Sequence, residues 1–146
     1  METSGAPRRL RGTPSWLISV AATHAHRLVS VVFGVVGARR YHYSLLAALD
    51  EFGPASQADL GRRGGLDRSD VVATVNELAD QGFVERRPDP GDRRRNIVTI
   101  TPSGMAHLRH LDRVLGQAQE SLLAPLSAAE REELVRMLNV VVEHHG

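Results

Sequence analysis

Between Gly82 and Pro102 the spacing of apolar residues changes from that of a helix to a period of two, and then changes back. Phe83-Val84-Glu85-Arg86-Arg87 and residues 96–101 are strand-like, with Val98 and Ile100 alternating against Thr99. Between them lies Pro88-Asp89-Pro90-Gly91-Asp92, a run of turn formers. The segment predicts a β-hairpin set into an otherwise helical chain.

The flanking segments read as helices. Pro14 and Ser15 open a long apolar stretch to about Ala38, in which Leu17, Val20, Ala21, His24, Leu28, Val31, Val32 and Val35 fall at helical spacing. It is apolar on more than one face, which predicts packing against a partner chain as well as its own domain. A second helix is expected over 41–52, with Leu45, Leu46 and Leu49 inward and Gly53-Pro54 as its stop. Ser56-Gln57-Ala58-Asp59 reads as a capping box, in which Asp59 reaches back to the cap. That short helix ends near Gly64-Gly65. Asp67-Arg68-Ser69-Asp70 starts another in the same way, with Val71, Val75 and Leu78 as its buried stripe. After the hairpin, Thr101-Pro102 begins a helix carrying Leu108, Leu111, Leu115 and Leu122. Pro125 interrupts it. Ser127 to Glu130 forms a third capping box ahead of Leu134, Met137, Leu138, Val141 and Val142.

The fold class is therefore mainly α with a small β-hairpin wing, in the order of a winged helix-turn-helix. Residues 1–13 are expected to be a mobile arm, 14–38 and 102–146 helical, and 39–101 the winged helix-turn-helix. A length of 146 residues favours one domain.

Composition removes several functions. With no cysteine, disulfides, Cys-zinc sites and thiol redox sensing are excluded. No Gly-rich phosphate loop, nucleophile elbow or metalloprotease motif is present, so an enzyme is not expected. No signal-peptide core follows Arg8, Arg9 and Arg11, and residues 31–38, the most apolar run, are too short to span a bilayer. A cytoplasmic protein without a membrane partner is expected. The net charge of +1 does not argue for nucleic acid, but its distribution does. Every basic residue is arginine, as a GC-rich coding sequence would also produce. Five of them (Arg86, Arg87, Arg93, Arg94 and Arg95) stand against Asp89 and Asp92 in the hairpin. That is the footprint of a phosphate-binding element.

Two short helices joined by a Gly-containing turn, then a hairpin, suit duplex DNA. A helix enters the major groove and residues near its start reach base edges. Arg68, Ser69, Asp70, Ala73 and Asn76 lie off the apolar stripe of the second helix and are the candidate readers. Arg68 can donate to guanine or phosphate, and Asn76 suits adenine. A solvated helix face is the alternative for these five. Arginines on a narrow ribbon suit a minor groove.

Residues 89–104, DPGDRRRNIVTITPSG, resemble the wing signature of the MarR family of bacterial regulators, which falls on Asp92, Arg94, Val98, Ile100, Thr101 and Gly104. Ile100 stands where leucine is more usual. Residues 66–87 resemble the family's recognition helix and first wing strand. The resemblance implies a homodimer, with N- and C-terminal dimerisation helices in 14–38 and 102–146, reading a pseudo-palindromic operator in double-stranded DNA. It implies that Arg94 enters the minor groove, that Asp92 supports it, and that Arg93 and Arg95 make phosphate or further wing contacts. Ala73 departs from a position that often carries a long side chain, which shifts specificity towards Arg68, Ser69, Asp70 and Asn76. A repressor released by a small-molecule effector is expected.

Family members often bind small aromatic or anionic molecules, for which Trp16, His24, Arg27, Tyr41, His42 and Tyr43 are candidates. Packing is the alternative for the aromatics, and phosphate contact for His42 and Tyr43. No cofactor and no metal site is assigned. His107 and His110, three apart, are the one pair able to share an ion, with further ligands from elsewhere. A metal-responsive regulator, or a winged helix that binds protein rather than DNA, are the other readings.

Overall fold

A computed structural model describes residues 5–146. Among them the order is α1 (Arg8–Arg11), α2 (Pro14–Val35), α3 (Arg40–Phe52), β1 (Ala55–Ser56), α4 (Gln57–Gly64), α5 (Arg68–Asp80), β2 (Val84–Asp89), β3 (Asp92–Ile100), α6 (Pro102–Leu122) and α7 (Ala128–His145). The chain is mainly helical with a small antiparallel sheet, as its patterning requires. Where length alone suggests one domain, it divides into two compact units. One runs to Leu28 and includes Gly116–Gly146; the other is Val29–Leu115.

The second unit holds the main core. Phe33, Leu46, Leu49, Val71, Val75, Leu78, Val98 and Leu111 are essentially without solvent contact. Each such side chain contributes about 1.5–3 kcal/mol by leaving water. The sheet order is β1-β3-β2, all antiparallel. Its third strand, β1, was not expected: Ala55 and Ser56 pair with Val98 and Ile97. The hairpin strands also run further than their composition suggests, to Asp89 on one side and from Asp92 on the other. Residues 88, 89 and 92, read as turn, are paired, and only Pro90-Gly91 remain to close the hairpin.

The start of α6 is pressed onto the turn before β2. Thr101 Oγ1 accepts from the Gly104 amide at 3.0 Å and donates to the Gly82 carbonyl at 2.7 Å. The Thr101 amide donates to the Phe83 carbonyl at 3.1 Å. A Cβ at Gly104 would stand 2.1 Å from that same carbonyl oxygen, so only glycine fits.

In the first unit, α7 opens with the reciprocal capping box expected from its sequence. Ser127 Oγ accepts from the Glu130 amide at 3.2 Å, and Glu130 accepts from the Ser127 amide at 2.9 Å. Arg131 closes the α6–α7 turn by donating to the Leu123 and Leu126 carbonyls and to both oxygens of Glu120. No residue of α7 is buried, and Val135, Leu138, Val141 and Val142 are exposed.

Four local expectations are corrected. The long N-terminal helix ends at Val35 rather than near Ala38, because Gly37 turns at φ 69° and the Ala38 amide bonds back to the Phe33 carbonyl. Residues 8–11 of the expected arm form a helical turn; residues 1–4 lie outside the described residues. Asp59 does not bond back to the Ser56 backbone amide. Being one methylene shorter than glutamate, it pairs instead with Arg62, while Ser56 Oγ still accepts from the Asp59 amide. Finally, α2, at 22 residues, is long and apolar enough to cross a bilayer by length and composition alone. The apolar run 31–38 understated this, since the remainder of the helix is apolar around His24, His26 and Arg27. A helix covered by a second chain passes the same test.

Candidate nucleic-acid interface

The tight turn between α4 and α5 depends on small residues. Gly65 adopts the left-handed conformation at φ 64°, and Gly61 lets the Leu66 carbonyl and a Val71 methyl approach to 3.2 Å of where a Cβ would be. Asp67 then caps α5, accepting from the Asp70 amide at 2.9 Å and from the Ser69 hydroxyl at 2.8 Å. These bonds, the Asp70 amide first, hold its carboxyl below the usual carboxylate range.

The helix α5 buries Val71, Thr74, Val75 and Leu78. Its other side exposes Arg68, Ser69, Ala73 and Asn76, with Asp70 half-buried. Asp67, Arg68, Ser69, Val72, Ala73 and Asn76 line one shallow depression. The Ser69 hydroxyl is spent on Asp67, which leaves it an acceptor towards any ligand. Asn76 is engaged as well: its Oδ1 accepts from Arg86 Nη1 of β2 at 2.6 Å. Sequence reading counted Arg86 only as part of a basic patch.

The three consecutive arginines of the wing occupy an irregularity in the ladder. Pairs run in register from Val84↔Ile100 to Pro88↔Asn96, and the next pair is Asp89↔Asp92. Arg93, Arg94 and Arg95 therefore have no opposite number on β2. All three are exposed, Arg94 with 92% of its side chain in solvent. Asp92 accepts from the Arg94 amide at 3.1 Å and from its Nε at 3.4 Å.

Wing and helix meet in one cleft of about 510 Å³, whose lining includes Gln57, Arg62, Arg68, Val71, Arg94 and Arg95. Arg68 and the wing arginines are thus brought together. Gln57 and Arg62 were not anticipated. Gln57 Oε1 is buried without a hydrogen-bond partner.

The candidate effector residues fall in different units. Trp16, His24 and Arg27 belong to the first, where Trp16 and His24 are half-buried and Arg27 lies 2.6 Å from His24 Nδ1. Tyr41, His42 and Tyr43 belong to the second. Arg40 lies over the Tyr41 ring at 5.2 Å. Tyr43 packs against Phe33 and donates to Asp112 at 2.7 Å. That bond, helped by burial and the Asp112 charge, pushes its pKa up to about 12. His42 is buried against Glu77, at 2.5 Å. The His42 hydrogen bond, and then that of Arg39, hold the Glu77 carboxyl below its usual range.

His107 stacks on Phe83 at 4.1 Å, nearly parallel, with the His110 ring 6.4 Å away. Burial first, then the neighbouring histidines His110 and His42, push its pKa down. Among the described residues no group of three or more His, Cys, Asp or Glu is placed to hold a metal ion.

Known proteins share this arrangement. The model of the MarR family matches residues 37–95, from the approach to α3 to the wing arginines. The HTH-type transcriptional repressor NicR of Pseudomonas putida is 35% identical over 98 residues, 67% of this chain and 62% of that protein. The chain spans only 54 to 62% of the length of the first three curated relatives it matches. The crystal structure of a probable transcriptional regulator from Pseudomonas aeruginosa superposes with a TM-score of 0.78 at 29% identity, covering 90% of this chain and 98% of that one. The PcaV regulator of Streptomyces coelicolor, solved with its natural ligand, gives 0.75 at 25% identity, covering 97% and 99%. With the helix-turn-helix, the wing and the terminal helices all matched, the chain belongs to the MarR family.

Proposed function

We propose that the chain is a homodimeric, cytoplasmic transcription regulator that binds a pseudo-palindromic operator in double-stranded DNA, acts as a repressor, and is released by a small aromatic or anionic effector. It is a binding protein rather than an enzyme. The observation that carries this reading is the single cleft lined by Arg68 of α5 and by Arg94 and Arg95 of the wing. A helix with an exposed polar face beside a protruding arginine ribbon fits adjacent major and minor grooves.

In this reading 39–101 bind DNA, while 14–38 and 102–146 dimerise. Arg68, Ser69, Asp70, Ala73 and Asn76 face the major groove, Arg93, Arg94 and Arg95 the minor groove and phosphates, and Asp92 steadies Arg94. The apolar, exposed side chains of α7 support a second copy as their cover, and α2 is covered by protein rather than lipid. Repression is supported by the likeness to NicR, and an effector by the likeness to PcaV. Trp16, His24, Arg27, Tyr41, His42 and Tyr43 are the residues proposed to meet it. The hydroxyl of Tyr43 and the imidazole of His42 would first have to leave Asp112 and Glu77.

Fluorescence anisotropy tests the reading, using duplex from the promoter nearest the chain's own gene against a scrambled duplex at two salt concentrations. Tight, sequence-preferring binding that weakens steeply with salt is expected, because each neutralised phosphate releases about 0.9 counterion. Weak binding, equal for both duplexes and indifferent to salt, would instead favour a protein-interaction module.

A further inference from the structure

Resting on the reading of α5 as the helix that reads DNA, we propose that His42 and Glu77 are positioning residues for sequence recognition, which lock α5 to the first turn of α3 without touching DNA themselves.

Glu77 follows Asn76 on α5, yet its carboxylate is turned to α3. One oxygen receives the Arg39 guanidinium, and the other lies 2.5 Å from His42 Nε2. The His42 side chain is only 5% exposed, so this end of the pair is dry, while Glu77 keeps 40% of its side chain in solvent. The other ring nitrogen fixes the tautomer. The Arg39 backbone amide lies 3.3 Å from His42 Nδ1, and an amide can only donate. Nδ1 therefore presents its lone pair, and Nε2 carries the proton that is donated to Glu77. One imidazole thus joins the backbone at the N-cap of α3 to a carboxylate on α5. Arg39 also offsets the charge of Glu77.

Base-edge hydrogen bonds are directional and fail with small displacements, whereas phosphate contacts position a protein on any sequence. A looser α5 therefore loses preference for its own site before it loses affinity for DNA in general. Substitution of His42 leaves every arginine and carboxylate in place, so non-specific binding should stay as it is.

The two ring nitrogens can be replaced separately. In His42→Asn the amide oxygen stands near the place of Nδ1, where it can take the Arg39 amide, but the side chain cannot reach Glu77. In His42→Gln the amide nitrogen reaches the place of Nε2 and donates to Glu77. The probe is a duplex selected by the wild-type chain from a random pool, with a scrambled duplex beside it. We expect His42→Asn to lose about ten-fold of the selected-to-scrambled affinity ratio, the size of one charge-assisted bond. With no effector present, His42→Gln should keep the ratio, and scrambled binding should not move in either. Retention in the Asn variant with loss in the Gln variant would reduce His42 to a cap for α3 and overturn the proposal. So would an unchanged ratio in both.

Amide hydrogen exchange over residues 68–80 without DNA gives a second readout. It should be faster than wild type in the Asn variant and unchanged in the Gln variant; equal exchange in the two overturns the bracket. If the wild-type chain selects no duplex, the DNA reading itself has failed, and the exchange result alone decides whether His42 and Glu77 order α5. Should either His42 variant fail to fold, Glu77→Gln replaces it. One of the two bonds is then lost whichever way the amide turns, the ratio should fall, and a wild-type ratio counts against the proposal.

Discussion

Arg86 of β2 donates to the side-chain oxygen of Asn76 on α5 at 2.6 Å, tying the first wing strand to the helix proposed to read DNA. With its oxygen engaged, Asn76 offers chiefly its amide hydrogens outward, which suits an acceptor such as a purine N7. Arg86→Ala should therefore change base preference at one position per half-site while lowering affinity by about 1 kcal/mol, the scale of one such hydrogen bond. Binding to a set of duplexes with each base substituted in turn checks this; an unaltered preference would show that Asn76 reads alone or not at all.

Arg94 has almost no contact within the fold, so its removal should be invisible to stability and visible to DNA. Arg94→Ala is expected to weaken operator binding by about 1–3 kcal/mol. Thermal unfolding should stay at the wild-type midpoint. Asp92→Ala should show a smaller loss in the same titration, since it only steadies Arg94.

Gly104 and Gly116 lie on the same helix and should respond in opposite senses. A Cβ at Gly104 collides with the Phe83 carbonyl, whereas one at Gly116 meets nothing within 4 Å. Gly104→Ala should cost about 3 kcal/mol, as overpacking against backbone does. Gly116→Ala should be neutral or stabilise by up to about 1 kcal/mol, because alanine is the better helix former. Urea denaturation of the two variants measures both.

Tyr43, with its pKa pushed up to about 12, keeps its proton in the folded chain where an unfolded tyrosine has lost it. The unfolded chain binds fewer protons between pH 10 and 12, so stability from the Tyr43–Asp112 bond is complete below pH 10 and fades as pH rises towards 12. An absorbance titration of Tyr41→Phe, which retains only Tyr43, should show late ionisation. In Asp112→Asn that ionisation should move to lower pH.

The exposed side chains of α7 carry the dimer prediction. Leu138→Arg should convert the chain from dimer to monomer in sedimentation at micromolar concentration, and operator affinity should fall with it. A wild-type chain already monomeric under those conditions would remove the dimer from the proposal.

Local chemistry was legible in the sequence and long-range chemistry was not. The change of period at Gly82, the caps at Ser56, Asp67 and Ser127, and Thr101 at the head of α6 all act within a few residues, and all are present. β1 escaped because two residues cannot display a period, and it exists only through its pairing with Val98 and Ile97. The pairing of Arg39 with Glu77 spans 38 positions, and no local pattern announces it. At the wing, composition identified the arginines. Their lack of cross-strand partners depends on register, which the opposite strand decides.

That register has a consequence for how such a chain can diverge. Between Asp92 and Asn96 the ladder passes over three residues, while Ile97 to Ile100 stay locked to β1 and β2. A slip of one residue in that locked part would turn Val98 out of the core. The tip is insulated from this. Its residues can be exchanged, and its length altered, without the sheet having to re-register. The charge a wing presents can thus drift from one lineage to another while the core beneath it is inherited unchanged.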